Sequence, residues 1–227
     1  EASFSKKLNA TLQAARYRFA MIDYVAVSVK LVDSISNSSE QVAREVYQHF
    51  YDEVLASKIS PAARQRIAEH QAQGHRVAIL SAATQYVVEP VARAVGVEDV
   101  LCTRLEVSNG LFTGRVIEPP CYGPGKVHYA REYAQRHGAE LAEAYFYSDS
   151  DADLPLLELV GHPVAVNPKK ELLEVAREAG WPVIQGILAY FERSSWAVRR
   201  YSPWAQFVAS TVLGSSQTDL RVGLMFS

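Results

Sequence analysis

The chain has 227 residues, 48% of them hydrophobic and 21% charged, with a formal net charge of −2. That length buries a substantial core as one domain, or as one domain with a large insertion, and the near-neutral charge gives no reason to invoke nucleic acid. Cys102 and Cys121 are the only cysteines, too few for a disulfide framework, so a reducing, cytoplasmic setting is expected rather than secretion.

The chain opens with Glu1 rather than Met and shows no signal peptide, which suggests a trimmed chain or a gene fragment. Residues 18–33 are rich in apolar side chains, but Asp23 and Lys30 interrupt them, so no membrane span is expected. The first 75 residues read as helices. Ile22, Val25, Val29 and Val32 share one helical face, and Val42, Val46, Phe50 and Val54 share another. Ser38 with Gln41 suggests a capping box, and Ser60-Pro61 an N-cap followed by Pro at the first helical position, with Gly74 ending that helix.

From His75 the pattern changes. Val77-Ala78-Ile79-Leu80 is continuously apolar, as in a strand buried on both faces. A helix over residues 84–95 follows, closed by Gly96, with Pro90 expected to bend or restart it. Asn109-Gly110 marks a hairpin turn between alternating residues. A helix then leads from Gly125-Lys126 to Gly138, and Ala144-Tyr145-Phe146-Tyr147 forms a strand running into Asp149. Next come a helix at 154–159, a strand at 163–166, a helix at 169–179 and a last strand at 181–184. This alternation predicts an α/β fold, a Rossmann-like parallel sheet with helices on both faces.

Three places in this order carry candidate chemistry. Tyr147-Ser148-Asp149-Ser150-Asp151-Ala152-Asp153 places three carboxylates within five residues at the end of a buried strand, where open α/β sheets bind ligands. Hard cations such as Mg²⁺ take one or two carboxylates of this kind together with phosphate oxygens and water. Asp149 and Asp153 are the expected metal ligands, and Asp151 reads as a solvated loop charge. Ser81 follows the strand 77–80, where its hydroxyl and the N–H of Ala82 suit a phosphoryl oxygen; a serine there equally caps a helix. Lys126 sits in Tyr122-Gly123-Pro124-Gly125-Lys126, able to neutralise a phosphate or simply to be a solvated lysine in a first helical turn. His75 and His162 lack partners at metal-ligand spacing, and the two cysteines lack a CxxC arrangement.

Together these residues resemble the haloacid dehalogenase-like superfamily, in its phosphoserine phosphatase-like branch. The matching text is His75-Arg76-Val77-Ala78-Ile79-Leu80-Ser81-Ala82, then Gly125-Lys126, then Tyr147-Ser148-Asp149 through Asp153-Leu154-Pro155-Leu156-Leu157, with Gly161-His162-Pro163-Val164-Ala165-Val166-Asn167-Pro168 beyond it. The resemblance implies a Mg²⁺-dependent phosphomonoester hydrolase acting on a small phosphorylated metabolite through an aspartyl-phosphate. Ser81, Lys126 and Asp149 would be the catalytic residues present. Ser81, Ala82 and Lys126 would bind the phosphate; Asp149 would bind the ion, and Asp153 would support it or orient Lys126. The implied domains are a helical cap at 1–58, the α/β core at 59–185 and a C-terminal extension at 186–227.

One departure stands out. The family's first motif, Asp-x-Asp at the end of a central first strand, has no match before the cap helices, since Asp23 and Asp33 stand alone in helical text. The chain as given is therefore expected to be catalytically inactive, and poorly stable unless another segment fills that strand position; Val222-Gly223-Leu224-Met225-Phe226 is one apolar candidate. In the extension, Trp196, Tyr201 and Trp204 interleave with Arg193, Arg199 and Arg200, a mixture seen at membrane interfaces and partner surfaces, although a packed or partly disordered extension is the preferred reading. The competing functional class is a non-catalytic relative that keeps the phosphate and metal pocket for binding or regulation.

Overall fold

A computed structural model describes residues 32–185 and the backbone of residues 222–226. The expected helical face through Ile22, Val25 and Val29, and the aromatic and arginine-rich stretch around Trp196 to Trp204, lie outside the described residues. Helix α1 (Glu40–Phe50) continues into a π-helical turn (Tyr51–Leu55) and a 3₁₀ turn (Ala56–Lys58), and α2 spans Pro61–Ala72. The core alternates β1 (Val77–Thr84), α3 (Gln85–Val95), β2 (Asp99–Ser108), β3 (Leu111–Ile117), α4 (Pro124–His137), β4 (Tyr145–Ser148), α5 (Leu154–Leu157), β5 (His162–Val166), α6 (Lys170–Ala179), β6 (Val183–Ile184) and β7 (Val222–Phe226).

These strands form one seven-stranded sheet in the order β3-β2-β1-β7-β4-β5-β6. β1 with β2, β4 with β5 and β5 with β6 pair in parallel, as the strand–helix alternation predicts. β3 returns antiparallel through the hairpin, with Asn109 at φ 52° and Gly110 at φ 76°, the left-handed pair that a tight two-residue turn requires. β7 is antiparallel to both its neighbours: Val77 to Ser81 face Phe226 to Val222, and Tyr145 to Tyr147 face Phe226 to Leu224. The apolar segment near the end of the chain thus fills the central position, supplying backbone partners to the inner edges of β1 and β4, which would otherwise be buried unpaired.

Alternation along the strands divides the core. Ala78, Leu80, Phe146 and Ala165 face a layer containing α4, α5 and α6, where Ala130, Tyr133, Leu156, Leu157, Leu172 and Ala176 are buried. Val77, Ile79, Tyr147, Val164 and Val166 face α2 and α3 through Ala63, Ile67, Val88 and Ala92. Residues such as Leu80 and Leu156, with no exposed surface, are ones whose truncation to Ala costs about 2–5 kcal/mol.

Several local expectations hold. Ser60 accepts a hydrogen bond from the N–H of Ala62 ahead of Pro61, and α3 and α4 end on left-handed Gly96 and Gly138. α3 by contrast runs through Pro90 as one helix, without the expected restart. Others need correction. Ser38 and Gln41 form no capping box: the N-cap is Ser39, Ser38 donates to the carbonyl of Ile35, and Gln41 donates to Glu45. The inward face of α1 centres on Ala43 and Tyr47 rather than on Val42, which is 46% exposed, whereas two members of the expected face do turn inward: Phe50 packs against the same cluster and Val54, in the following turn, is buried. Tyr47 stacks on Tyr86, whose ring edge meets Phe112, so a flat ring beside a small residue fits this surface and the helix turns to present them. β1 extends beyond Leu80 to Thr84, placing Ser81 inside the strand rather than after it.

At the opposite end of the sheet from these strand termini, His70, His75, Tyr145, Tyr147 and His162 gather. His70 Nδ1 lies 2.8 Å from His75 Nδ1, and His70 Nε2 lies 3.0 Å from the Tyr147 hydroxyl. Tyr145 stacks between His75 and His162. Among the described residues no three His, Cys, Asp or Glu side chains are arranged to hold a metal ion, and no helix is long and apolar enough to cross a membrane.

Candidate active site at the carboxyl ends of the strands

β1 carries Ser81 into the sheet with no exposed surface, in register with Cys102 on one side and Val222 on the other. The β1–β2 register then shifts between Ser81 and Thr84. Ala82 and Ala83 bulge out of the ladder, a device that re-aims backbone groups beside active sites. The Ser81 hydroxyl accepts from the N–H of Ala83 at 3.2 Å.

Lys126 lies in the first turn of α4 and is 1% exposed, so it is not a solvated lysine. The preceding loop folds tightly against this turn: a Cβ on Gly125 would sit 1.9 Å from the carbonyl oxygen of Pro120. Thr103 on β2 secures the same loop by accepting the N–H of Cys121 at 3.1 Å. A buried ammonium requires a partner, and Lys126 Nζ donates to Asp153 Oδ2 at 2.7 Å, with Asp153 itself 2% exposed.

Asp149 is the first residue after β4 and is half-buried; it contacts neighbouring groups, while its Oδ1 atom lies buried without a hydrogen bond. A turn of 3₁₀ helix over Asp151–Asp153 swings Asp153 back beneath it, and Asp151 is exposed. Ser148 also donates to Asp153 Oδ2, at 2.6 Å, and accepts the N–H of Ser150 at 3.1 Å. The sequence reading missed Ser148 as a working group; the signal available was serine at alternate positions around Asp149.

Cys121 links the two halves of the site. It hydrogen-bonds the Ser81 backbone and senses the charges of Lys126 and Asp153, while burial pushes its thiol up to about 12. Burial likewise pushes Cys102 up to about 11. Both are inert thiols at neutral pH, in keeping with the structural role expected of them. Ser81 and Asp149 flank the amino end of β7, two strand spacings or about 10 Å apart. The arrangement offers hydroxyl, bulged backbone and ammonium to an anion, and carboxylate oxygens to a hard cation.

A family model described as haloacid dehalogenase-like hydrolase matches residues 2–158. The chain is 38% identical over 151 residues to a protein named histidinol-phosphatase from Neisseria meningitidis serogroup C (strain 8013), covering 65% of this chain and 68% of that one. It is also 38% identical over 136 residues to a protein named phosphoserine phosphatase SerB1 from Mycobacterium tuberculosis (strain ATCC 25618 / H37Rv), covering 60% of this chain but 44% of that relative. Among solved structures, a protein of unknown function from Bordetella pertussis Tohama I superposes with a TM-score of 0.65 at 33% identity, covering 69% of this chain and 72% of its own.

Proposed function

The chain belongs to the haloacid dehalogenase-like hydrolases, and on that premise we propose that it is a phosphomonoester hydrolase of the phosphoserine phosphatase-like type. In this reading it takes a small phosphorylated metabolite and uses Mg²⁺. The observation that carries the proposal is the buried Lys126–Asp153 pair at the strand ends, facing a serine and a backbone bulge across one strand. A fully buried lysine held by a single carboxylate oxygen is costly to build for structure alone, and it suits a dianionic phosphoryl group.

Ser81 donates its hydroxyl proton to one phosphoryl oxygen, the Ala82 N–H serves a second, and Lys126 balances the charge. The donor set fits a hard cation: all-oxygen, with two carboxylates at most, so substrate oxygens and water would complete the shell. Asp149 would hold the ion, with Asp153 supporting it through its tie to Lys126. Bound there, Mg²⁺ would supply charge screening of the phosphate. Residues 1–58 would act as a cap that selects the leaving group; the described part of that segment packs on α3 and the β2–β3 hairpin through Tyr47, Tyr86 and Phe112. Phosphoserine and histidinol phosphate, suggested by the relatives' names, are the first substrates to try, followed by other small or lipid phosphates.

Hydrolysis through an aspartyl-phosphate needs a carboxylate between β1 and β4. Residues 222–226, which occupy that position, include none. The chain as given is therefore expected to bind phosphate without turning it over, and β7 in the central slot is the specific feature favouring the second reading, a non-catalytic phosphate- and metal-binding relative. Retention of Ser81, Lys126, Asp149 and Asp153 together favours the hydrolase.

Calorimetric titration with orthophosphate, with and without Mg²⁺, tests the site, alongside release of phosphate from phosphoserine and histidinol phosphate. Mg²⁺-enhanced binding abolished by Lys126→Ala supports it. Absence of binding in the parent chain refutes it, and ordinary turnover would refute the expectation of inactivity.

A further inference from the structure

We propose that Ser148 is a positioning residue whose hydroxyl ties the turn carrying Asp149 to the Lys126–Asp153 pair and so fixes where the Lys126 ammonium points. This rests on the phosphate-site reading above. Ser148 ends β4 and is 1% exposed. Its Oγ donates to Asp153 Oδ2 at 2.6 Å, the same oxygen that accepts Lys126 Nζ at 2.7 Å. Two short bonds converge on one carboxylate oxygen, and rotating that carboxylate breaks both. The Ser148 oxygen in turn accepts the Ser150 N–H, while Ser150 Oγ accepts the N–H of Ala152 and the Ser150 carbonyl accepts the N–H of Asp153.

The consequence is mechanical. Lysine has a flexible four-carbon stem and three equivalent donors, so one anchored proton decides where the remaining two are presented. Through Ser148 that anchor is shared with the turn that sets Asp149. The lysine that meets the phosphate and the carboxylate that meets the cation are therefore aligned by one hydroxyl. An alanine at the strand end would pack the same core, yet it would release Asp153 Oδ2 from one donor and leave the Ser150 N–H without its acceptor.

The test uses the full chain as parent, Ser148→Ala and Ser148→Thr, the last keeping the hydroxyl in a form suited to a strand. Hydrogen exchange of the Lys126 ammonium protons, followed by ¹⁵N NMR well below the unfolding temperature, reads the anchor directly; orthophosphate titration with Mg²⁺ reads its use. Loss of one hydrogen bond to a charged group predicts roughly tenfold faster exchange and roughly tenfold weaker phosphate binding in Ser148→Ala, with Ser148→Thr at parental values. Unchanged Lys126 exchange in Ser148→Ala, or equal defects in both variants, overturns the proposal; a purely structural serine would lower the melting temperature and leave that exchange alone. If Ser148→Ala does not fold, Ser148→Cys, similar in size but a weak donor, is read the same way. Failure of the parent to bind orthophosphate would refute the phosphate site, while the exchange comparison would still decide the role of Ser148.

Discussion

Protonation of His70 should make the fold acid-sensitive well above the range where carboxylates titrate. Burial, reinforced by His75 and Arg66 and opposed by Glu69, pushes its imidazole down to about 4 from an ordinary value of 6.5. The burial explains why a charge is unwelcome: His70 is 4% exposed, so an imidazolium there would lose its hydration, while its Nδ1 lies 2.8 Å from the Nδ1 of His75. Tyr147 bonds the other nitrogen of His70, and Tyr145 lies edge-on to its ring. Because the folded value is depressed, the unfolded chain binds the proton first. Stability contributed by neutral His70 is present above pH 6.5 and is lost as pH falls from about 6.5 to 4. Linkage gives a loss of about 2 kcal/mol between pH 7 and 5, and about 3 kcal/mol by pH 4. Urea unfolding of the parent and His70→Gln at pH 7, 6 and 5 measures it, the variant subtracting every other titrating group. The gap between them should narrow by about 2 kcal/mol from pH 7 to 5. Parallel pH profiles for the two proteins would refute the assignment.

Asp153→Ala strands the Lys126 ammonium in the core and should cost about 3–5 kcal/mol in denaturant unfolding, with Lys126→Met in the same chain returning most of it. Gly125→Ala and Gly161→Ala each drive a Cβ into a backbone carbonyl, at 1.9 Å from Pro120 and 1.7 Å from Ala142. Both should destabilise by about 1–3 kcal/mol or more, but only Gly125→Ala, beside Lys126, should also weaken orthophosphate binding on titration. Leu224→Pro removes a backbone donor from a strand paired on both edges with Ile79 and Tyr147 and should abolish cooperative unfolding monitored by circular dichroism. A parental transition in that variant would show that β7 does not hold the centre of the sheet.

The sequence alone determined what depends on neighbours along the chain. Ser60-Pro61 starts α2 and Asn109-Gly110 turns the hairpin because their backbone preferences are local. The continuous apolar runs of β1 and β4 announce burial on two faces, and the carboxylates after β4 mark the end of that strand as the candidate site. Where packing decided, the sequence pointed elsewhere: large apolar residues mark Val42 and Val46 on α1, yet the rings of Tyr86 and Phe112 select Ala43 and Tyr47. The same limit applies at the site. Lys126 and Asp153 are 27 residues apart, and nothing local says that one carboxylate oxygen joins lysine to Ser148. Only the tertiary structure decided that residues 222–226 enter antiparallel between β1 and β4. Two buried strand edges require backbone partners, and the partner's direction follows from how the chain arrives, which no local pattern records.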